Sequence, residues 1–136
     1  MRAAFKAMGV GYGANPAATY RYYWTQDFGG VASAPFSPLA DGTHLLTATQ
    51  TRFLANFSAA GPASAVSVVL AGQALPMAVE LGNATRGTWF VTTARGTDCR
   101  PYYFVATDAN GLRWRYPAAG QFETTGEGTC ALEWTP

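Results

Sequence analysis

The residues best placed for chemistry are two arginines and a tyrosine. Arg113 and Arg115 flank Trp114 in the alternating run Leu112-Arg113-Trp114-Arg115-Tyr116. On an extended chain this spacing turns both guanidiniums to one face and the apolar side chains to the other. With Tyr103 beside them they would form a strip for a sugar or an anion. The same residues also suit a plain solvated face, with arginine stems lying over aromatic surface, and the sequence leaves both readings open.

Glycoside hydrolysis needs two carboxyl groups about 5–10 Å apart in a cleft. The chain offers Asp27, Asp41, Glu80, Asp98, Asp108, Glu123, Glu127 and Glu133. Asp41 and Asp108 open turns that contain glycine, and Glu80 alternates outward on a strand. Asp27 and Glu123 are the acids least explained by such roles, so they are the catalytic candidates. His44 is the single histidine. No nucleophile motif accompanies it, since the segment around Ser37 lacks a Gly-x-Ser-x-Gly elbow, and it reads as a surface residue at the start of a strand. Gly9-Val10-Gly11-Tyr12-Gly13 lacks the Lys-Ser/Thr of a phosphate loop and reads as strand or turn. Asn56-Phe57-Ser58 and Asn83-Ala84-Thr85 match glycosylation sequons, a short pattern that carries little weight by itself.

Cys99 and Cys130 stand about thirty residues apart. They lack metal-ligand spacing, and one histidine cannot complete a zinc site. A disulfide between them would stabilise the fold by about 3–4 kcal/mol in the chain-entropy model and would place the protein outside the reducing cytoplasm. Two buried thiols are the alternative. No metal and no cofactor is implied.

The elements that must position these residues read as strands. The 136 residues suffice for one domain with a short appendage. Hydrophobic residues make up 49% of the chain, enough for a core, and a net charge of +1 gives no pull toward nucleic acid or anionic membrane. Lys6 is the one lysine against eight arginines, which with abundant Ala and Gly points to a GC-rich bacterial genome. No run of about 20 apolar residues spans a membrane, and the opening MRAAFKAMGVGYG lacks the long apolar stretch of a signal peptide.

After a helical turn at Ala3–Met8 the pattern has period two. Gly9–Tyr12 and Tyr20–Phe28 flank a turn at Gly13–Pro16 and read as a hairpin with Tyr20, Tyr22, Trp24 and Phe28 on one face. Gly29-Gly30 through Pro38 is a linker rich in Gly, Ser, Ala and Pro, with 31–38 separating the hairpin from the rest. Strands follow at His44–Gln50, Arg52–Ser58, Ala65–Leu70, Ala74–Leu81, Thr88–Thr93, Tyr102–Thr107, Leu112–Tyr116, Gly120–Thr124 and near Ala131–Trp134. Phe53, Ala55 and Phe57 share a face, as do Val66, Val68 and Leu70, then Leu75, Met77, Val79 and Leu81, then Leu112, Trp114 and Tyr116. Gly72-Gln73 and Asp108-Ala109-Asn110-Gly111 read as hairpin turns. Short strands with turns every 8–12 residues predict an all-β, immunoglobulin- or fibronectin-like antiparallel sandwich over 39–136, with the 1–30 hairpin appended.

Two stretches carry family likeness. Met8-Gly9-Val10-Gly11-Tyr12-Gly13 and Tyr22-Tyr23-Trp24-Thr25-Gln26-Asp27-Phe28-Gly29 resemble the end of a bacterial CAP domain, the family of cysteine-rich secretory and pathogenesis-related proteins. There these words form the last two strands of the central sheet in an α-β-α sandwich. The family's cavity residues, two His and two Glu, lie upstream and match nothing here, so the resemblance implies a C-terminal remnant and carries over no activity. Gly87-Thr88-Trp89, Tyr102–Asp108 and Trp114-Arg115-Tyr116-Pro117 resemble accessory β-sandwich domains of secreted bacterial proteins, some of which accompany carbohydrate-active enzymes.

These readings lead to an extracellular or cell-surface protein. Its expected role is a non-catalytic accessory module that binds a glycan or another cell-surface ligand; the alternative is a small hydrolase acting on a glycan or ester through a carboxylate pair. The hairpin, stripped of its parent sheet, is expected to cover its aromatic face in a homodimer.

Overall fold

A computed structural model describes residues 7–14, 19, 22–29 and 37–124. Every element among them is a strand, and the chain divides into two compact units, Met1–Phe36 and Ser37–Pro136. In the first unit β1 (Ala7–Ala14) pairs antiparallel with β2 (Tyr22–Gly29), with Tyr12 opposite Trp24 and Met8 opposite Phe28. Ala7 and Met8, read above as helical, belong to β1: period-two pairing with Gly29 and Phe28 takes them into the ladder. The glycines at 9, 11 and 13 lie in the same strand and form no phosphate loop.

The second unit is sandwich-like. Its strands are β3 (Leu39–Leu46), β4 (Gln50–Ser58), β5 (Ala63–Leu70), β6 (Gln73–Pro76), β7 (Ala78–Gly82), β8 (Arg86–Ala94), β9 (Arg100–Asp108), β10 (Arg113–Tyr116) and β11 (Phe122–Thr124). One sheet runs β3-β4-β8-β7. The other runs β10-β9-β5-β6, with β11 also on β9, and all pairings are antiparallel.

Period-two alternation explains the core. Phe53, Ala55 and Phe57 of β4 are buried, as are Val66, Val68 and Leu70 of β5 and Tyr102, Phe104 and Ala106 of β9. They meet between the sheets with Leu39, Met77 and Trp89. Each fully buried Phe contributes about 1.5–3 kcal/mol. Gly42 of β3 is required by this packing, because a methyl there would collide with the Phe104 ring.

Five expectations are corrected in detail. The first sandwich strand spans 39–46 rather than 44–50, since the chain turns at Thr47, whose backbone N–H donates to the Gln50 carbonyl (2.9 Å). The run 74–81 divides at buried Met77: β6 pairs with β5 in one sheet and β7 with β8 in the other. Beyond it a register shift between Val79 and Leu81 leaves Leu81 65% exposed instead of on the shared apolar face. Leu112 likewise lies just before β10 and is exposed. The tight turn after β5 is centred on Ala71-Gly72, both at positive φ, one residue before the expected pair. The turn after β9 is as expected. Gly111 has positive φ, and the Asp108 carboxylate accepts from the backbone N–H groups of Asn110 and Leu112. Residues 30–36 of the linker and the strand expected at 131–134 lie outside the described residues.

Candidate functional site

The outer face of the β10-β9-β5-β6 sheet carries the predicted strip. Since Tyr102, Phe104 and Ala106 point inward, Tyr103 and Val105 point outward. Arg113 and Arg115 pair across from Thr107 and Val105 and share that face, while Trp114 between them packs against the core. Tyr103, Val105, Arg113, Trp114 and Arg115 line a groove of about 320 Å³.

Arg115 is locked in this groove. Its guanidinium carbon lies 4.1 Å from the Tyr103 ring centroid, and its Nη1 donates to the Pro117 carbonyl at 3.1 Å. Its Nη2 donates to the Gly120 carbonyl. The 117–120 loop that supplies both acceptors starts at a cis Tyr116–Pro117 bond and ends at Gly120 with positive φ. Arg113 is exposed and has no hydrogen bond or ion pair among the described residues. The ion pairs among the described residues are Arg52–Glu80 and Arg100–Asp98, so neither groove arginine meets a described carboxylate.

Glu123 is half-buried on β11, opposite Pro101. Phe122 beside it packs on the core, so alternation places Glu123 on the outer face that also carries Tyr103. Asp27 pairs with Gly9 in the first unit, and its side chain is outside the described residues. Most other described acids have local partners: Asp41 accepts from Asn56, Glu80 pairs with Arg52, and Asp108 caps its turn. Cys99 is exposed just before β9, and Cys130 lies outside the described residues. No group of three His, Cys, Asp or Glu suited to a metal occurs among the described residues, and they contain no helix long and apolar enough to cross a membrane.

The sequence reading missed His44. Instead of opening a strand on the surface, it sits within β3 on the inward side with Gly42 and Leu46. Its Nδ1 is 2.8 Å from the Tyr102 hydroxyl on the facing sheet, and its ring meets those of Tyr102 and Phe53. Burial lowers the His44 pKa; burial, then the Tyr116 phenol, raises that of Tyr102. A neutral imidazole and a neutral phenol therefore share the bond. The missed signal was the alternation Gly42-x-His44-x-Leu46, too weakly apolar to mark a buried face. The two sequons also differ: Asn83 caps the β7–β8 turn through its Oδ1, whereas Asn56 is held between Asp41 and Thr88.

No family model matches this sequence, and a search of curated proteins finds no significant relative.

Proposed function

We propose that residues 37–136 form an immunoglobulin-like sandwich acting as a non-catalytic binding module of a secreted bacterial protein, with a glycan as ligand of the Tyr103–Arg113–Arg115 groove. The observation that carries this reading is the fixed Arg115. A guanidinium stacked on a ring and tied to two backbone carbonyls loses little further freedom on binding, and preorganisation of that kind is what makes a surface groove an effective site. The strand orders support the fold. Taking β3, β4, β8 and β7 as A, B, E and D, and β10, β9 and β5 as G, F and C, gives the two immunoglobulin sheets, with β6 added beside C.

Two further features belong to this reading. The absence of free cysteines and the bonded state of Cys99 support a Cys99–Cys130 disulfide fastening the C-terminal segment to the start of β9, as expected outside the cytoplasm. The hairpin, with CAP-like words in both strands, is a two-stranded sheet, which is marginal in water by itself. The reading has it cover the aromatic face expected from Tyr20, Tyr22, Trp24 and Phe28 in a homodimer, and a mass near 14 kDa by light scattering across a dilution series refutes that.

Affinity electrophoresis through gels containing plant and bacterial polysaccharides tests the module. The wild-type protein is retarded in at least one gel, and an Arg113→Ala/Arg115→Ala variant of unchanged circular dichroism is not. Retardation in none, or equal retardation of the variant, overturns the reading.

A further inference from the structure

We infer that the groove selects a carboxylated polysaccharide, a chain of uronic acid units, rather than a neutral glycan. This rests on the binding-module reading above and names its ligand class. Neutral sugars are held on sandwich surfaces chiefly by stacking on open aromatic rings. Among the described residues of the second unit the aromatic rings outside the core are Tyr103 and Phe90, and each already has a guanidinium over its ring, Arg115 at 4.1 Å and Arg52 at 4.8 Å. The groove thus lacks a bare platform for a pyranose face.

What it has instead is charge. Arg113 is exposed and has no partner among the described residues, and Arg115 spends one N–H on each of two carbonyls. A guanidinium carries five N–H donors, so Arg115 keeps others to offer. Two residues apart on one strand, the arginines stand about 7 Å from each other along the chain direction. A planar guanidinium fork matches a planar carboxylate with two parallel hydrogen bonds. Two such forks in line suit a polymer that repeats a carboxylate along its length. Arg52 has the same stack but is neutralised by Glu80, so the opposite face offers no equivalent site. Glu123 lies on the groove's face without pairing to either arginine; it bars anions from that end and confines the ligand to the β10 side.

Titration calorimetry with the full chain tests this, using polygalacturonate and its fully methyl-esterified form, which keeps the chain and removes the charge. Polygalacturonate binds, the ester binds at least tenfold more weakly, and affinity falls as salt rises from 50 to 500 mM, roughly as expected for charge pairs at a surface. Arg113→Gln, exposed and neutral to folding, lowers affinity for polygalacturonate about tenfold. Equal binding of acid and ester, or of a neutral xylan, overturns the inference and leaves the binding module standing. Tighter binding of dextran sulfate assigns the site to sulfate and overturns it too. Equal cosedimentation with phosphatidylglycerol vesicles shows a membrane surface as the partner and overturns both, as does binding to none of these.

Discussion

Arg52 and Arg115 occupy matching positions on the two outer faces of the sandwich. Arg52 on β4 lies opposite Thr92 and reaches back two residues along β8 to cover Phe90. Arg115 on β10 lies opposite Val105 and reaches back two residues along β9 to cover Tyr103. Both are the diagonal neighbours that long side chains span on a sheet. The surroundings differ. Arg52 meets the Glu80 carboxylate, itself about one-third exposed, whereas the described residues give Arg115 the carbonyls of Pro117 and Gly120 and no carboxylate. One stack is closed electrically and serves the surface. The other keeps its positive charge, and with Arg113 beside it becomes a site. The same diagonal motif is therefore structural or functional according to whether an acid stands beside it.

Both stacks rest on one core, so the strongest way to break the comparison is from inside. Phe104 is fully buried, contacts Tyr102 edge-on at 5.6 Å between ring centroids, and fills the space left by Gly42. Phe104→Ala is expected to cost about 3–5 kcal/mol, measured by urea denaturation, and to abolish ligand binding along with the fold. A cost under about 1.5 kcal/mol would show that the two sheets do not share the cluster around Phe104.

That cluster also marks how far the sequence could be read. The inward triplets of β4 and β5 were legible because each repeats an apolar residue at every second position over five, with Asn56 and Ser67 marking the outward face even though Leu54 and Val69 do not. The Arg113/Arg115 strip was legible for the same reason. What could not be read depends on partners distant in sequence. Nothing local marks Gly42 and His44 as inward-facing until Phe104 and Tyr102 arrive from about sixty residues away. The division of one apolar run at Met77 is decided by which sheet each half pairs with. The two carbonyls that fix Arg115 come from the turn at 117–120, whose path no periodicity announces. The carboxylate candidates show the reverse limit, since acidity alone never indicated that Asp27 and Glu123 fall in separate units.

The next effect separates the two stacks directly. Arg115→Ala removes charged hydrogen bonds to two carbonyls, and hydrogen bonds to charged groups contribute about 1.5–3 kcal/mol. A loss toward the lower end is expected because the residue is only half-buried. Its size should barely change between 0.05 and ~1 M salt, since the acceptors are neutral. A large salt dependence would mean that a carboxylate neutralises Arg115 after all, and the contrast with Arg52 would fail.

Between the faces, the seam at His44 predicts a pH effect that belongs to neither stack. The folded state holds the imidazole proton less tightly than the unfolded chain, whose value is near 6.5. Stability is then fully present above about pH 6.5 and declines as pH falls through and below it, levelling once the folded group is also protonated. The hydrogen bond itself can survive, because a protonated Nδ1 donates to the phenol oxygen; the loss comes from burying the cation. His44→Gln should flatten the melting temperature between pH 7.5 and 5. An unchanged slope in that variant would assign the effect to another group.

The smallest effect is the coupling between Arg52 and Glu80, and it completes the comparison. Both side chains are about one-third exposed, so solvent and ions screen their attraction. A double-mutant cycle with Arg52→Ala and Glu80→Ala should give about 0.2–1 kcal/mol at low salt and almost none at ~1 M. The sharper variant is Glu80→Gln, which keeps the shape and removes the charge. It leaves Arg52 stacked on Phe90 and un-neutralised, electrically the twin of Arg115. If charge alone made the site, this variant would gain affinity for polygalacturonate on the β4–β8 face. The expected result is no second site, because Arg52 has neither the paired arginine two residues away nor the carbonyl clamp that fixes Arg115. A second binding event in the calorimetric titration of Glu80→Gln would show that neutralisation by Glu80 is the whole difference between the two faces.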